Sequence, residues 1–294
     1  MAKNILDLIG NTPLVKSRVL NTNPNVDLYF KLEGHNPGGS VKDRPALYMI
    51  KNGLERGDFT TTSKLIEATS GNTGIGLAMV AGVYGLNIEL VMPENSTVER
   101  IQTMRAYGAK VTLTPADIGI EGARDYAENK VANEGYIMLN QFGNSDNWKA
   151  HYTTTGPEIW KDTDKKITHF VSSMGTTGTI TGTSTFLKAQ NVDVKIIGVQ
   201  PEEGSRIPGI RKWSPDYVPS IYDSTKVDDI LYVNQEEAAA MAKRLAKEEG
   251  IFSGMSSGGA ATVALRMAKQ IKEGTIVSIV CDRGDRYLSS DLFD

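Results

Sequence analysis

The sequence predicts an α/β fold of two open-sheet lobes. Strand–helix–strand units recur along the chain, and two strand–glycine loop–helix junctions, near 69–76 and 174–179, lie about a hundred residues apart. The 294 residues, 40% hydrophobic and 23% charged, suffice to bury one large core or two.

Each element follows from local pattern. Leu65 to Ala68 is a short strand ahead of a glycine loop, and the helix after it carries Ile75, Leu77, Met79 and Val80. Ile88 to Met92 is an apolar run ended by Pro93, which predicts a buried strand. Val98 to Tyr107 has helical spacing and stops at Gly108, and Lys110 to Leu113 is the next strand. Downstream, Ile167 to Ser172 and Val194 to Gln200 are strands flanking a helix that starts near Thr179. Asn234 caps a helix reaching Glu249, with Glu237 at the capping-box position and Gly250 as the stop. Ala260 to Ile271 is a helix and Ile276 to Cys281 a last buried strand.

Composition excludes several classes. A net charge of -3 gives no electrostatic footprint for nucleic acid or an anionic membrane. No stretch approaches the ~20 apolar residues of a membrane span. The single Cys281 allows no intrachain disulfide, and the N-terminus carries no export signal, so a cytoplasmic location is expected. His35, His151 and His169 are scattered, which argues against zinc or a Cys–His nucleophile.

Three loops carry candidate chemistry. Gly175-Thr176-Thr177-Gly178-Thr179 follows a strand and opens a helix, the arrangement of a phosphate cradle, although an ordinary flexible turn would also read this way. Thr69-Ser70-Gly71-Asn72-Thr73-Gly74 offers more small polar groups than one helix cap needs, and favours an anion such as a carboxylate. Lys42 follows Gly38-Gly39-Ser40; taken alone it reads as a solvated lysine, but a partly desolvated lysine there could form a Schiff base. A phosphate site, a carboxylate site and a cleft lysine together specify pyridoxal phosphate and an amino acid.

The motifs GGSVKDR, EATSGNTGIGLAM, GTTGTITG, QPEEGSRIPGIRKW, GMSSGGA and CDRGDRY occur in one order along the chain. They resemble those of the fold-type-II, tryptophan synthase β-like pyridoxal phosphate enzymes, and more narrowly the cysteine synthase (O-acetylserine sulfhydrylase) family of B type. The resemblance runs from Gly10-Asn11-Thr12-Pro13-Leu14 onward and implies a role for each matching position. Lys42 would hold the cofactor as a Schiff base and then act as a base. Asn72 would bond the ring's phenolic oxygen, Gly175, Thr176, Thr177, Gly178 and Thr179 the phosphate, and Ser256 would face the ring nitrogen. Thr69, Ser70, Gly71, Thr73 and Gln141 would bind the substrate carboxylate, with Arg211 and Trp213 in the outer pocket. The implied reaction is β-replacement on O-acetylserine or O-phosphoserine by sulfide through an α-aminoacrylate, giving cysteine, in a homodimer.

The resemblance also implies a small mobile substrate-binding lobe over 36–145 and a large cofactor-binding lobe from 1–35 and 146–294. Two rivals stand beside it: a cysteine-consuming enzyme that releases sulfide, and a catalytically silent partner-binding scaffold. Two positions depart from the family pattern. Lys212 stands where B-type enzymes carry a second arginine, and Asp223 stands where a neutral residue is usual. Asp223 is either a solvated loop residue or a general base near the reacting carbon that favours cysteine consumption.

Overall fold

The computed structural model describes residues 2–294. Ten strands and nine α-helices alternate. The first half holds β1 (Leu14–Lys16), β2 (Val26–Leu32), α1 (Asp43–Arg56), β3 (Lys64–Ala68), α2 (Asn72–Tyr84), β4 (Asn87–Pro93), α3 (Val98–Ala106), β5 (Lys110–Thr114), α4 (Gly119–Glu134) and β6 (Tyr136–Met138). The second half holds α5 (Ser145–Ala150), α6 (Gly156–Asp162), β7 (His169–Ser173), α7 (Gly178–Gln190), β8 (Lys195–Pro201), β9 (Asp229–Val233), α8 (Gln235–Arg244), α9 (Met255–Gln270) and β10 (Gly274–Val280).

Two sheets result. The smaller has the order β5-β4-β3-β6 and is parallel throughout. The larger has the order β1-β2-β10-β7-β8-β9, parallel except for the antiparallel β1 edge. β4 and β10 are apolar on both faces because helices cover both sides of each sheet. Leu65, Leu77, Leu90 and Met104 lie in the core of the smaller sheet, and Leu6 from the N-terminal turn packs there too. Among the described residues no helix is long and apolar enough to cross a membrane.

The Asn234 cap forms as its spacing predicts. Its side chain accepts from the Glu237 N–H at 2.9 Å, and Glu237 Oε2 accepts from the Asn234 N–H at 3.2 Å. The helix differs at its end: α8 passes into a π-helical turn over Leu245–Glu249 before Gly250 closes it at φ 71°. There the Glu249 carboxylate is drawn to Ser17 and the N–H groups of Arg18, Val19 and Leu20.

Two helices depart further from their expected form. α9 starts at Met255, five residues before the expected Ala260, so the Ser-Ser-Gly-Gly run is helix rather than loop. Gly258 is needed inside it because a β-carbon there would overlap the Ala238 carbonyl of α8. α2 is not amphipathic: Thr73 through Ala81 are all buried, with α1 and α3 against it. The glycine loops stand at the C-terminal ends of β3 and β7, where α/β sheets present ligands.

Candidate active site

Lys42 sits just before α1, held by two anchors. The Val41 N–H donates to the Cys281 carbonyl at 2.8 Å, and the Lys42 N–H donates to Ser40 Oγ at 3.1 Å. The Gly38-Gly39 turn ahead of it is forced by crowding. Gly39 has φ 83°, and a β-carbon there would overlap the Arg286 guanidinium. The Gly38 N–H donates to Asp43 Oδ2 at 2.5 Å. Burial pushes the Asp43 carboxyl up to about 7. The Lys42 ammonium has no carboxylate within 4.0 Å and no hydrogen-bond acceptor among the described residues. Burial pushes its pKa down, against the weaker opposing pull of Cys281 and Asp282.

Lys42 lines an enclosed cavity together with Asn72, Gly175, Thr176, Thr177, Thr179 and Ser256. Val41, Ser172, Ser173, Gly209, Ile279, Cys281 and Tyr287 complete the wall. The 175–179 loop leaves β7 and enters α7, so the first N–H groups of that helix have no intrahelical acceptor. Thr177 holds φ 69°, a conformation non-glycine residues seldom adopt and one that concentrates at ligand sites. Gly175 must lack a side chain because a β-carbon would come within 2.9 Å of the Gly209 carbonyl. Gly178 does not line the cavity; it packs on Asn147, which a β-carbon would overlap. His151 Nε2 lies 3.3 Å from Thr179 Oγ1, and burial pushes that imidazole down to about 3, so it is neutral.

Asn72 opens α2 with its amide fixed on two sides. Nδ2 donates to Asp282 Oδ2 at 2.7 Å and Oδ1 accepts from Arg286 at 2.5 Å, which leaves one amide proton free. Ser256 stands at the start of α9, and its carbonyl accepts from Ser173 Oγ at 2.7 Å. Beside it in the cavity wall, burial pushes the Cys281 thiol up to about 11.

Thr69, Ser70, Gly71 and Thr73 stand outside the enclosed wall, at the end of β3 and the start of α2. Thr73 Oγ1 donates to Gln141 Oε1 at 2.7 Å, so the Gln141 Nε2 protons stay available as donors. The Thr73 hydroxyl is thereby committed to Gln141, and its contribution to an anion would be its backbone N–H at the helix start.

The donor set fits pyridoxal phosphate. It offers a half-buried amine without a partner, a helix N-terminus lined by hydroxyls for a phosphate, an amide proton at Asn72 and a neutral hydroxyl at Ser256. The family model "Pyridoxal-phosphate dependent enzyme" matches residues 5–282. Cysteine synthase B of Pseudomonas aeruginosa is 55% identical over 99% of this chain and 97% of its own length. The chain belongs to the pyridoxal phosphate-dependent cysteine synthase B family. A cysteine synthase from Entamoeba histolytica superposes with a TM-score of 0.94 at 37% identity, covering 100% of this chain and 91% of its own. A hydrogen sulfide-producing enzyme from Fusobacterium nucleatum superposes with a TM-score of 0.92 at 40% identity, covering 98% of this chain and 100% of its own.

The outer residues of this family site lie on a separate, wider recess along 201–215, which meets the enclosed cavity at Gly209. Arg211 is there, its guanidinium 5.4 Å from the Trp213 ring, and Trp213 Nε1 donates to the Gly175 carbonyl at 2.8 Å. Asp223 lines neither space. It caps a short 3-10 turn, accepting from the Thr225 N–H at 3.0 Å and the Thr225 hydroxyl at 2.6 Å.

Sequence reading passed over several residues that shape the cavity. Asp282 accepts from Asn72, from the Tyr287 hydroxyl at 2.6 Å and from the Gly254 N–H at 3.2 Å. Arg286 joins Asn72 to the Gly38 carbonyl. The CDRGDRY run is visible in the sequence, but its partners Asn72 and Gly38 are more than two hundred positions away, so only the fold supplies the role. Cys281, at the end of the last predicted strand, lines the cavity as well.

Proposed function

We propose that the protein makes L-cysteine by β-replacement on O-acetylserine or O-phosphoserine with sulfide, using pyridoxal 5'-phosphate. The observation that carries this is the unpaired, half-buried Lys42 amine in a cavity whose other end is the α7 N-terminus, in a chain 55% identical to a cysteine synthase B. When bound, the cofactor supplies an electron sink at the substrate's Cα.

The chain's residues do the remainder. Lys42 Nζ would hold the cofactor and would serve as the base that takes the proton from the substrate Cα. Its lowered pKa makes the neutral amine accessible for that task. The α7 N-terminus with Thr176, Thr177 and Thr179 would anchor the phosphate, with Gly175 leaving room at the loop and Gly178 seating it on Asn147. Asn72 would orient the ring edge, and the Ser256 hydroxyl would face the ring nitrogen as a neutral partner. Thr69, Ser70, Gly71, Thr73 and Gln141 hold the substrate carboxylate, and Arg211 guards the approach.

Residues 36–145 serve as a mobile lobe that closes on the substrate and excludes water, against 1–35 and 146–294. The protein works as a homodimer in the cytoplasm. Identity of 55% to a cysteine synthase B against 40% to a sulfide-producing enzyme ranks cysteine formation above cysteine consumption. A silent scaffold would have no use for an uncompensated, half-buried cavity amine.

The test offers the purified holoenzyme O-acetylserine, O-phosphoserine and cysteine separately, and follows cysteine formation and sulfide release. Cysteine formation from an activated serine is the expected dominant activity. Faster sulfide release from cysteine would overturn it. Asp223 enters as a low-ranked general base, and an unaltered ratio of the two activities in Asp223→Asn would remove it from the mechanism.

A further inference from the structure

We propose that Asn147 is a positioning residue that couples the grip on the substrate carboxylate to the grip on the cofactor phosphate. This rests on the function proposed above. The peptide group of Gln141 is held from both sides by buried polar side chains. Its N–H donates to Glu67 Oε1 at 3.2 Å, and its carbonyl accepts from Asn147 Nδ2 at 2.6 Å. The preceding Asn140, with φ 54°, donates its N–H to Glu67 Oε2 at 2.8 Å. Glu67 thus fixes the turn that presents Gln141, one residue pair upstream of the 69–73 loop.

Asn147 reaches the other way as well. A carbonyl only accepts, so the amide nitrogen of Asn147 must face Gln141. The second proton of that nitrogen reaches Thr176 Oγ1 at 3.3 Å. The amide oxygen packs on Gly178. Asn147 is 2% exposed, Thr176 and Gln141 6% each, so water does not substitute for these bonds. One planar amide therefore spans the carboxylate-binding glutamine and the phosphate-binding threonine. Movement of Gln141 toward a carboxylate is felt at Thr176, and the coupling is reciprocal.

Asn147→Asp keeps the shape and removes both donated bonds. The holoenzyme variant is titrated with methionine, a non-reactive amino acid, while the visible cofactor band is followed, and cofactor release is timed by gel filtration. We expect methionine to bind about tenfold more weakly, the size of one unsatisfied buried carbonyl. Cofactor release should quicken too, and kcat/KM for O-acetylserine should fall through KM with kcat little changed. Methionine affinity and cofactor release both within twofold of wild type would overturn the proposal. A wild-type protein with no visible band, or one that makes no cysteine, would instead overturn the function on which it rests. If Asn147→Asp does not fold, Thr176→Val and Thr176→Ser carry the test. Valine should weaken methionine binding and serine should recover most of it; wild-type affinity with valine would overturn the coupling.

Discussion

Lys42 and Arg44 stand two residues apart, the first half-buried and the second fully buried, and the fold treats the two cations in opposite ways. Arg44 is compensated on every side. Its Nε and Nη2 each meet Glu33 at 2.7 Å, its Nη1 meets Glu158 at 2.6 Å, and Thr12 Oγ1 is 3.1 Å away. Lys31 completes the cluster with an ion pair of 2.8 Å to Glu158. Burial raises the Glu158 pKa, but Arg44 and Lys31 more than offset this and hold the carboxyl down at about 2. Among the described residues Lys42 has no such partner. A buried charge with full compensation holds structure; a half-buried cavity amine left without one is kept for chemistry.

Substitutions at the two positions should therefore separate. Lys42→Ala should cost the largest effect, at least ~10²–10⁴-fold in rate for loss of a general base, plus loss of the visible cofactor band. Its unfolding midpoint in urea should stay at or above that of the cofactor-free wild type. A midpoint well below that would make Lys42 a structural residue like Arg44. Arg44→Met should do the reverse. Leaving Glu33 buried without a partner costs ~3–5 kcal/mol, read as a lowered urea midpoint, while specific activity of the folded fraction holds.

Acid sharpens the contrast. Glu158 has a depressed pKa of about 2, so its contribution is present above the unfolded carboxylate value and is lost as pH falls through about 2. Asp43 and Glu67 are raised to about 7 by burial, so their contribution is full below the unfolded value and is lost as pH rises through about 7. Thermal midpoints should thus fall at low pH and also as pH rises from the unfolded carboxylate value to about 7, and Asp43→Asn should flatten the slope over that rise. An unchanged slope up to about 7 in that variant would contradict the assignment.

The smallest expected effect is local. Hydrogen exchange over residues 65–80 should slow when methionine binds, because a carboxylate draws the 69–73 donors together. Unchanged protection at saturating methionine would count against lobe closure.

The sequence made the sheet interior legible and the site only partly so. β4 and β10 were readable because both faces are buried, so they are mainly apolar runs, interrupted only by Glu89 and Ser278 and ended by proline or cysteine. The first turns of α9 were not, because Ser-Ser-Gly-Gly looks like a loop until α8 is laid against it. Lys42 gained meaning only beside two anion loops. The network of Asp282, Arg286 and Tyr287 around Asn72, and Asn147 between two loops, depend on contacts that no local pattern encodes.

The contrast between the two cations meets its most direct test in borohydride reduction of the cofactor-loaded protein followed by peptide mass spectrometry. The account expects a yellow protein whose visible band disappears on reduction, with the pyridoxyl mass on the peptide containing Lys42 and on no other lysine. A colourless protein in excess cofactor, or a label on any other lysine, would contradict it.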